Sequence, residues 1–354
     1  MTTINVLSTR QFSDDLLDKL RAVSPRLNIR QRPCRDAAEV AEALTADVEV
    51  IYTFHVPDDL LARAPHLRWI QLHSAGVDHL LNNPVMHSDV LITTTSGLHA
   101  VHIAEYVFAS ILAFVYRVPR MLHYQRHQEW PTGRWDIFAG PELRGQTIGI
   151  VGYGSIGSEV GRIAHALGMR VLAVKYGARP SAGHGRGQTG GEKYRIPGTG
   201  DPEGALVSRL YPPDELLDMV TECDFVVVTA PLTTQTRGLI NEAVLRAMKP
   251  TAYLVNIARG PIIDERALIH ALQKGWIAGV GLDVFEEEPL PADSPLWQLA
   301  RESAEGKGNI IISPHVAGFT LRYDERAIEI FAENLRRYLG DEPMLNLVSK
   351  ERGY

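Results

Sequence analysis

Residues 147–157, TIGIVGYGSIG, join an apolar run typical of a buried parallel strand to the start of an amphipathic helix. The join contains three glycines with distinct uses. Gly152 permits the tight turn, Gly154 lets backbone amides approach a pyrophosphate, and Gly157 lets the helix pack close to the strand. Phosphates would then lie at a helix N-terminus, where unpaired N–H groups and the helix dipole favour anions. The stretch therefore predicts a turn that binds a dinucleotide.

The sequence around this turn supports the prediction. Residues 158–168 place apolar side chains at helical spacing, and RVLAV at 170–174 follows as a second β-rich run, which completes a βαβ unit. A G-x-G-x-x-G pattern alone is a weak signal, because most glycine-rich turns serve only local geometry. Within a βαβ unit the signal is stronger, and we expect Ser155 and Ile156, between the glycines, to contact the dinucleotide too.

Apolar runs and helical patterns alternate along the whole chain of 354 residues, which is long enough for two domains with separate cores. This alternation is typical of parallel sheets covered by helices. We therefore predict an α/β fold of two doubly wound parallel-sheet domains, a Rossmann dinucleotide-binding domain and a flavodoxin-like substrate domain. The predicted strands lie at 4–9, 48–54, 67–76 and 90–97 in the first half, and at 147–151, 170–174, 225–231, 252–258, 279–285 and 309–315 in the second.

The domain boundaries follow from the helices that join the two halves. The helix predicted at 99–117 leaves the first half, and the helix predicted at 323–339 returns to it. The substrate domain is therefore predicted to be discontinuous, 1–98 with 316–354, and the dinucleotide-binding domain to span 99–315. Other helical patterns lie at 12–23, 213–222, 236–248 and 264–274.

Two segments lack a clear periodic pattern. Residues 119–144, with Trp130, Trp135 and several prolines, are interpreted as an extended arm, and exposed aromatic side chains there would indicate a subunit contact. Residues 177–204 contain nine glycines and are predicted to form a long loop insertion in the dinucleotide-binding domain. That loop is either a mobile lid or an inert insertion.

Composition limits the classes of partner. The net charge of −6 combines both signs without a run of lysine or arginine, so no nucleic-acid surface is expected. The most apolar helical pattern, 103–116, carries Glu105 and is too short to cross a bilayer, so no membrane association is expected. Only Cys34 and Cys223 are present, and the first residues lack a secretory signal. A cytoplasmic location is therefore expected.

Three polar residues follow three different apolar strands of the second half. Arg259 ends AYLVNIARG, Glu288 follows GLDVFEE, and His315 ends NIIISPH. Because the carboxyl ends of parallel strands share one sheet edge, the fold would bring these residues together.

The three residue types suit the reduction of a ketone by hydride. Histidine can protonate the developing alkoxide, a carboxylate beside it orients the ring and favours its charged form, and arginine binds a substrate carboxylate. Taken singly, each could instead be structural, as a core histidine, a solvated loop carboxylate or a surface cap. The prediction therefore depends on their joint placement after the glycine turn.

Several long motifs occur in order along the chain. They are HSAGVD at 73–78, GYGSIG at 152–157, PLTTQTRGLI at 231–240, MKPTAYLVNIARGPIIDERALIHALQKGWIAGVGLDVFEEEPLP at 248–291 and SPHVAG at 313–318. With these motifs, most of the chain resembles the D-isomer-specific 2-hydroxyacid dehydrogenase family. The resemblance implies hydride transfer between NAD(P)H and a small 2-keto acid, such as glyoxylate or hydroxypyruvate, by an enzyme that is usually a homodimer.

The resemblance also assigns roles to the polar residues at these motifs. His315 would be the acid/base, Glu288 its partner and Arg259 the substrate anchor. The loop after the strand at 67–76 would offer backbone amides to the substrate carboxylate, from Ala75, Gly76 and Val77.

Cofactor contacts are implied at a second set of residues. Asp283 matches a family position that holds the nicotinamide carboxamide, and further contacts are expected from Ala230, Pro231, Thr236, Ile257, Ala258 and Gly318. One position departs from the commonest pattern, because Lys175 stands where many NAD-using enzymes carry an aspartate for the ribose diol. A lysine with Arg179 nearby suits a 2′-phosphate, so NADP(H) is predicted to be preferred, with NAD(H) possible. Alternatively, Lys175 faces solvent and cofactor choice is loose.

Two other functions stay open on the sequence. Phosphite dehydrogenases on this fold retain a similar catalytic triad, whereas formate dehydrogenases lack the glutamate that Glu288 provides. The family also includes transcriptional corepressors that sense dinucleotides and recruit protein partners. Those carry extra peptide-binding surfaces or tails, and this chain ends soon after its last predicted helix, so the corepressor alternative ranks lower. The variant His315→Ala separates the two, since it should abolish turnover but leave a sensor's partner binding intact.

Overall fold

The computed structural model describes residues 3–175, 192–305 and 310–353. These residues divide into two compact units. The first unit comprises 3–98, 192–196 and 320–353, and the second comprises 99–175, 197–305 and 310–319. The predicted functional division between 1–98 with 316–354 and 99–315 stays a prediction. Arg179 and most of the predicted insertion, 177–191, lie outside the described residues.

Twelve strands and twelve α-helices are numbered here along the described chain. The strands are β1 (Ile4–Ser8), β2 (Leu27–Gln31), β3 (Val50–Thr53), β4 (Trp69–Leu72), β5 (Leu91–Thr93), β6 (Thr147–Val151), β7 (Arg170–Val174), β8 (Arg209–Tyr211), β9 (Phe225–Val228), β10 (Tyr253–Asn256), β11 (Gly279–Leu282) and β12 (Ile310–Ile312). The helices are α1 (Asp14–Arg21), α2 (Ala37–Ala43), α3 (Leu60–Arg63), α4 (Ala100–Val115), α5 (Val118–Arg126), α6 (Arg134–Phe138), α7 (Ser155–Ala166), α8 (Leu216–Glu222), α9 (Glu242–Ala247), α10 (Glu265–Lys274), α11 (Pro295–Ala304) and α12 (Tyr323–Leu339).

The first unit is built on a five-stranded parallel sheet with the order β2-β1-β3-β4-β5. Because side chains alternate across a strand, neighbouring residues enter opposite cores. Ile51 and Ile70 are buried against α2 and α3, whereas Tyr52 and Trp69 are buried against α1 and α12. Helices therefore cover both faces of this sheet.

The second unit is built on a seven-stranded parallel sheet with the order β12-β11-β10-β9-β6-β7-β8. One face is buried against α4 and α7, and the other against α8, α9, α10 and α11. The strand order reverses between β6 and β9, which is the topological switch point where ligands bind beyond the carboxyl ends of the strands. The prediction of two doubly wound parallel-sheet domains is confirmed.

Each sheet has one strand that the sequence analysis missed. Both missed strands, β2 and β8, lie at a sheet edge. Burial alternates along β2, and two of the three residues of β8 are exposed. An edge strand with a solvated side lacks the continuous apolar run by which buried parallel strands are recognised. The second sheet therefore has seven strands where six were predicted.

The segment after α4 was wrongly interpreted as wholly extended, because it contains α5 and α6. Pro119 lies in the first turn of α5, where a helix does not need the N–H that proline lacks. In the described ranges, no single helix combines the length and apolar character needed to cross a membrane, and α4 and α5 meet that test only as a pair bent by 63°.

Candidate active site

The glycine turn between β6 and α7 is tightly packed at two positions and open at a third. Gly152 has a φ of +102°, and a Cβ there would lie 2.6 Å from the amide nitrogen of Ala230. A Cβ on Gly157 would overlap the carbonyl oxygen of Gly152. At Gly154, a Cβ would meet no heavy atom of the described residues within 4 Å. Packing therefore excludes a side chain at the first two positions, whereas the backbone at Gly154 is open to an approaching group, as a pyrophosphate-binding turn requires.

The other residues predicted to contact the cofactor follow strands of the same sheet. They are Lys175 after β7, Ala230 and Pro231 after β9, Ile257 and Ala258 after β10, Asp283 after β11 and Gly318 after β12, with Ser155 and Ile156 in the first turn of α7. Lys175 is exposed. Their contacts with a dinucleotide stay predictions.

Thr236 has a structural role in the loop after β9. Its side chain is buried, and its hydroxyl donates to the carbonyl oxygen of Pro231 at 2.7 Å. The same hydroxyl accepts from the amide of Thr233 at 2.8 Å. Thr236 therefore shapes the loop that carries Ala230 and Pro231.

Glu288 and His315 are in direct contact. The Nδ1 atom of His315 lies 2.7 Å from Oε2 of Glu288, and 47% of the histidine side chain is exposed. The second carboxylate oxygen of Glu288 accepts from the amide of Phe285 at 3.0 Å, which fixes the direction of the carboxylate. This pairing leaves Nε2 of the His315 ring as the atom that can exchange a proton with a ligand.

Arg259 lies in a short turn after β10 that packs against the loop leading to Glu288. A Cβ on Gly260 would overlap the carbonyl group of Phe285, so the backbones of the two loops touch. The buried side chain of Asn256 holds the turn, since its Nδ2 donates to the carbonyl oxygen of Arg259 at 3.0 Å and its Oδ1 accepts from the amide of Ala258 at 3.1 Å. Sequence reasoning missed Asn256 and Gly260, although a polar residue that closes an apolar strand is a usable signal.

Asp283 holds the loop that carries His315. Its carboxylate is 1% exposed and accepts from the hydroxyl of Ser313 at 2.6 Å and from the amides of Val316 and Ala317, both at 2.9 Å. The predicted contact of Asp283 with nicotinamide stays a prediction. The hydrogen bonds to the His315 loop were not foreseen, because they join residues about thirty positions apart.

The loop after β4 in the first unit carries Ala75, Gly76 and Val77. The hydroxyl of Ser74 donates to the carbonyl oxygen of Gly76 at 2.8 Å, and Val77 is buried beneath the loop. Across the described ranges, the amides of these three residues donate to no protein acceptor. Successive backbone N–H groups without internal acceptors can bind an anion.

Comparison with known proteins agrees with this architecture. The family model of the D-isomer specific 2-hydroxyacid dehydrogenase NAD binding domain matches residues 108–192 and 200–317. A glyoxylate reductase of Aeropyrum pernix is 36% identical over 313 residues, which covers 86% of this chain and 84% of that protein. A glyoxylate reductase of Thermococcus kodakarensis is 33% identical over 322 residues, which covers 88% of this chain and 86% of that protein.

A solved structure gives the same result. The D-isomer specific 2-hydroxyacid dehydrogenase of Xanthobacter autotrophicus, in complex with NADPH and MES, is 28% identical with a TM-score of 0.77, and the alignment covers all of both chains. The family model spans more than half of this chain, and the curated relatives exceed 30% identity over most of it. The chain therefore belongs to the D-isomer specific 2-hydroxyacid dehydrogenase family.

Proposed function

We propose that this protein is an NAD(P)-dependent reductase of small 2-keto acids, which it converts to D-2-hydroxyacids. The observation that carries the proposal is the contact between Nδ1 of His315 and the carboxylate of Glu288, at 2.7 Å. Both residues follow strands of the sheet whose glycine turn is open at Gly154. This chain resembles glyoxylate reductases, and that resemblance supports glyoxylate, or a related acid such as hydroxypyruvate, as its substrate.

The chain's own residues would hold the cofactor and move one proton. The amides at the N-terminus of α7 would bind the pyrophosphate beside Gly154. The bound nicotinamide cofactor supplies the hydride. As the substrate carbonyl becomes an alkoxide, His315 would donate the proton from Nε2, and Glu288 would stabilise the charged ring through Nδ1.

Substrate binding would depend on a cation and on backbone amides. The guanidinium of Arg259 is permanently charged and forked, so it suits a carboxylate next to a carbonyl. The amides of Ala75, Gly76 and Val77, which have no acceptor in the described chain, are donors that also suit a carboxylate.

The test is oxidation of NADPH and NADH, followed at 340 nm, with a panel of 2-keto acids. Wild-type protein should turn over at least one acid, and His315→Ala should lose that turnover. His165→Ala is the matched control, because it removes an exposed histidine from the last turn of α7. A His315→Ala variant that keeps wild-type turnover would overturn the proposed acid/base role.

The alternative functions have distinct outcomes in the same assay. Phosphite-dependent reduction of NAD(P)⁺ without turnover of any keto acid would favour a phosphite-type dehydrogenase. Tight dinucleotide binding without turnover of either substrate class would favour a sensor that resembles the corepressors.

We propose NADP(H) as the preferred cofactor. Lys175 is exposed directly after β7, where a cation can pair with a 2′-phosphate. The Xanthobacter autotrophicus relative was solved with NADPH, which supports the same preference. The variant Lys175→Asp should shift the ratio of kcat/KM values towards NADH, and Lys274→Asp, which makes the same charge change at the end of α10, should not. A higher kcat/KM for NADH in the wild-type protein would reject this preference.

We also propose that the protein is a homodimer that associates through the segment with α5 and α6. Trp130 and Trp135 are 83% and 82% exposed, and Met121 and Leu122 on α5 are also exposed. Large exposed apolar side chains that lie close in sequence favour a protein contact. Light scattering should give the mass of a dimer for the wild-type protein and of a monomer for the double variant Trp130→Ser/Trp135→Ser. A wild-type monomer would contradict the proposal.

A further inference from the structure

The hydroxyl of Tyr106, on α4, forms a hydrogen bond with the hydroxyl of Ser313 at the start of the His315 loop. Ser313 in turn donates to the carboxylate of Asp283 at 2.6 Å. A hydroxyl has one proton, and an ionised carboxylate can only accept. Since Ser313 gives its proton to Asp283, Tyr106 must donate to Ser313. The hydrogen bonds therefore run in one direction, from Tyr106 through Ser313 to Asp283.

The His315 loop, where this series of hydrogen bonds ends, has an unusual backbone conformation. His315 has a φ of +54°, in the left-handed region that residues with a Cβ seldom adopt. Such a conformation costs about 1–3 kcal/mol and persists where surrounding contacts hold it. Asp283 supplies those contacts on both sides of His315, from Ser313 before it and from the amides of Val316 and Ala317 after it.

The surroundings of Tyr106 suit a permanent donor. The side chain is partly buried and packs against the core that α4 and α7 share. Burial raises the pKa of the Tyr106 phenol, and the negative charge of Asp283 acts in the same direction. The phenol therefore keeps its proton at physiological pH.

We propose that Tyr106 is a positioning residue for His315, acting through Ser313 and Asp283. Two carboxylates then divide the task. Glu288 orients the ring of His315 through Nδ1, and Asp283 fixes the backbone that carries the ring. Tyr106 and Ser313 fix Asp283. This inference rests on the proposed reductase function for its kinetic consequence, but the geometry of the loop can be measured without turnover.

The test compares two tyrosines whose hydroxyl groups each form a hydrogen bond with a serine hydroxyl. Tyr106→Phe removes the first hydroxyl from the series of hydrogen bonds that ends at the His315 loop. Tyr253→Phe is the matched control, because the buried phenol of Tyr253 lies 3.1 Å from the hydroxyl of Ser110, also on α4, and forms no hydrogen bond with the described residues of the His315 loop. Tyr106→Phe should lower kcat about tenfold and leave KM for the keto acid unchanged, since proton transfer depends on geometry. Tyr253→Phe should leave both constants unchanged.

Ser313 supplies a second arm. Ser313→Ala should lower kcat by a similar factor, Ser313→Thr should restore it because the hydroxyl is retained, and the double variant with Tyr106→Phe should be no worse than Ser313→Ala alone. Independent losses that multiply in the double variant would contradict a single chain of hydrogen bonds.

A readout without turnover separates this inference from the proposed function. The imidazole nitrogen resonances of His315, measured by NMR in the free protein, should shift in Tyr106→Phe and stay unchanged in Tyr253→Phe. If the wild-type protein has no keto-acid activity but the resonances shift, the positioning role stands and the reductase proposal fails. Equal kcat and unchanged His315 resonances in Tyr106→Phe, with only a lower Tm, would overturn the positioning role.

Discussion

His73 and His315 form hydrogen bonds of the same length through the same ring atom, but in opposite surroundings. Each follows a parallel strand, and each has Nδ1 at 2.7 Å from its partner. His73 is 9% exposed and is paired with the phenol of Tyr52. The side chain of His315 is 47% exposed and is paired with the carboxylate of Glu288.

The partners decide what each ring can do. Burial lowers the pKa of His73 to about 4, and the positive charge of Arg10 adds to this effect. Burial also holds the pKa of the Tyr52 phenol well above its usual value, so Tyr52 donates and the neutral ring of His73 accepts. A carboxylate partner such as Glu288 instead stabilises a charged ring. Partner and burial, and not the position after a strand, distinguish a structural histidine from a candidate acid.

The largest expected effect comes from replacing each histidine by asparagine. His315→Asn should lower kcat about 10³-fold, because a general acid contributes a factor of this order, while stability changes little at an exposed site. His73→Asn should keep most of the turnover and lose about 2 kcal/mol of unfolding free energy, since it leaves a buried site poorly filled. Steady-state kinetics and urea unfolding check both variants. Equal losses of kcat in the two variants would contradict the distinction between a structural His73 and a candidate acid at His315.

The second effect is a pH dependence of the unfolding free energy that the titration of His73 causes. Between pH 6.5 and about 4 the unfolded chain binds a proton that the folded chain does not, so stability falls as the pH falls through this window. The full shift corresponds to about 3 kcal/mol, at about 1.4 kcal/mol per pKa unit. Wild type should lose about this amount relative to His73→Asn across the window, so an advantage of about 2 kcal/mol for wild type above pH 6.5 should become a small advantage for the variant near pH 4. The exposed control His66→Asn should follow wild type, and parallel curves for wild type and His73→Asn would contradict the prediction.

A third effect separates the charge of Glu288 from its geometry. Glu288→Gln keeps an oxygen that can accept from Nδ1 of His315 but removes the negative charge, so kcat should fall about 10²-fold. The counterpart Tyr52→Phe should leave kcat unchanged and cost about 1 kcal/mol of stability through the lost hydrogen bond to His73. Full activity in Glu288→Gln would mean that orientation of the ring alone is sufficient.

The smallest effect concerns the backbone of His73. Its carbonyl oxygen accepts from the hydroxyls of Thr95 at 2.7 Å and Tyr323 at 2.8 Å. Thr95→Val should lower the unfolding free energy by about 1 kcal/mol, because Tyr323 still donates to the carbonyl. Urea unfolding measures the change, and kcat is the control that should not move. A loss as large as that of His73→Asn would show that the carbonyl, and not the ring, stabilises this region.

Patterns that depend on local sequence predicted most of the fold. The glycine turn, the buried strands and the bounds of α12 follow from spacing that a single segment contains. The edge strands β2 and β8 could not be predicted from such spacing, because their exposed side chains remove the apolar signal. Pro119, one of several prolines that suggested an extended arm at 119–144, is tolerated in the first turn of α5.

In the candidate site too, features that depend on local motifs could be predicted, whereas features that depend on contacts between distant residues could not. Glu288 and His315 could be named from the sequence because Glu288 directly follows one recognisable motif and His315 ends another, and the structure brings the two together. The difference between His73 and His315 could not be named, because it depends on Tyr52 and on burial. The support that Asp283 and Ser313 give to the His315 loop was hidden for the same reason, since it joins separate strands.

The missing side chain of Gly260 has a consequence for engineering. No methyl group fits between Gly260 and the main chain at Phe285. At this point no side chain separates the loop of Arg259 from the loop of Glu288, so no change of side-chain conformation can compensate for a shift of either main chain. A graft that replaces one loop from another family member would import a main-chain path that its neighbour does not match. Residues 256–260 and 283–288 therefore form a single exchangeable cassette, and recombination points belong outside both segments.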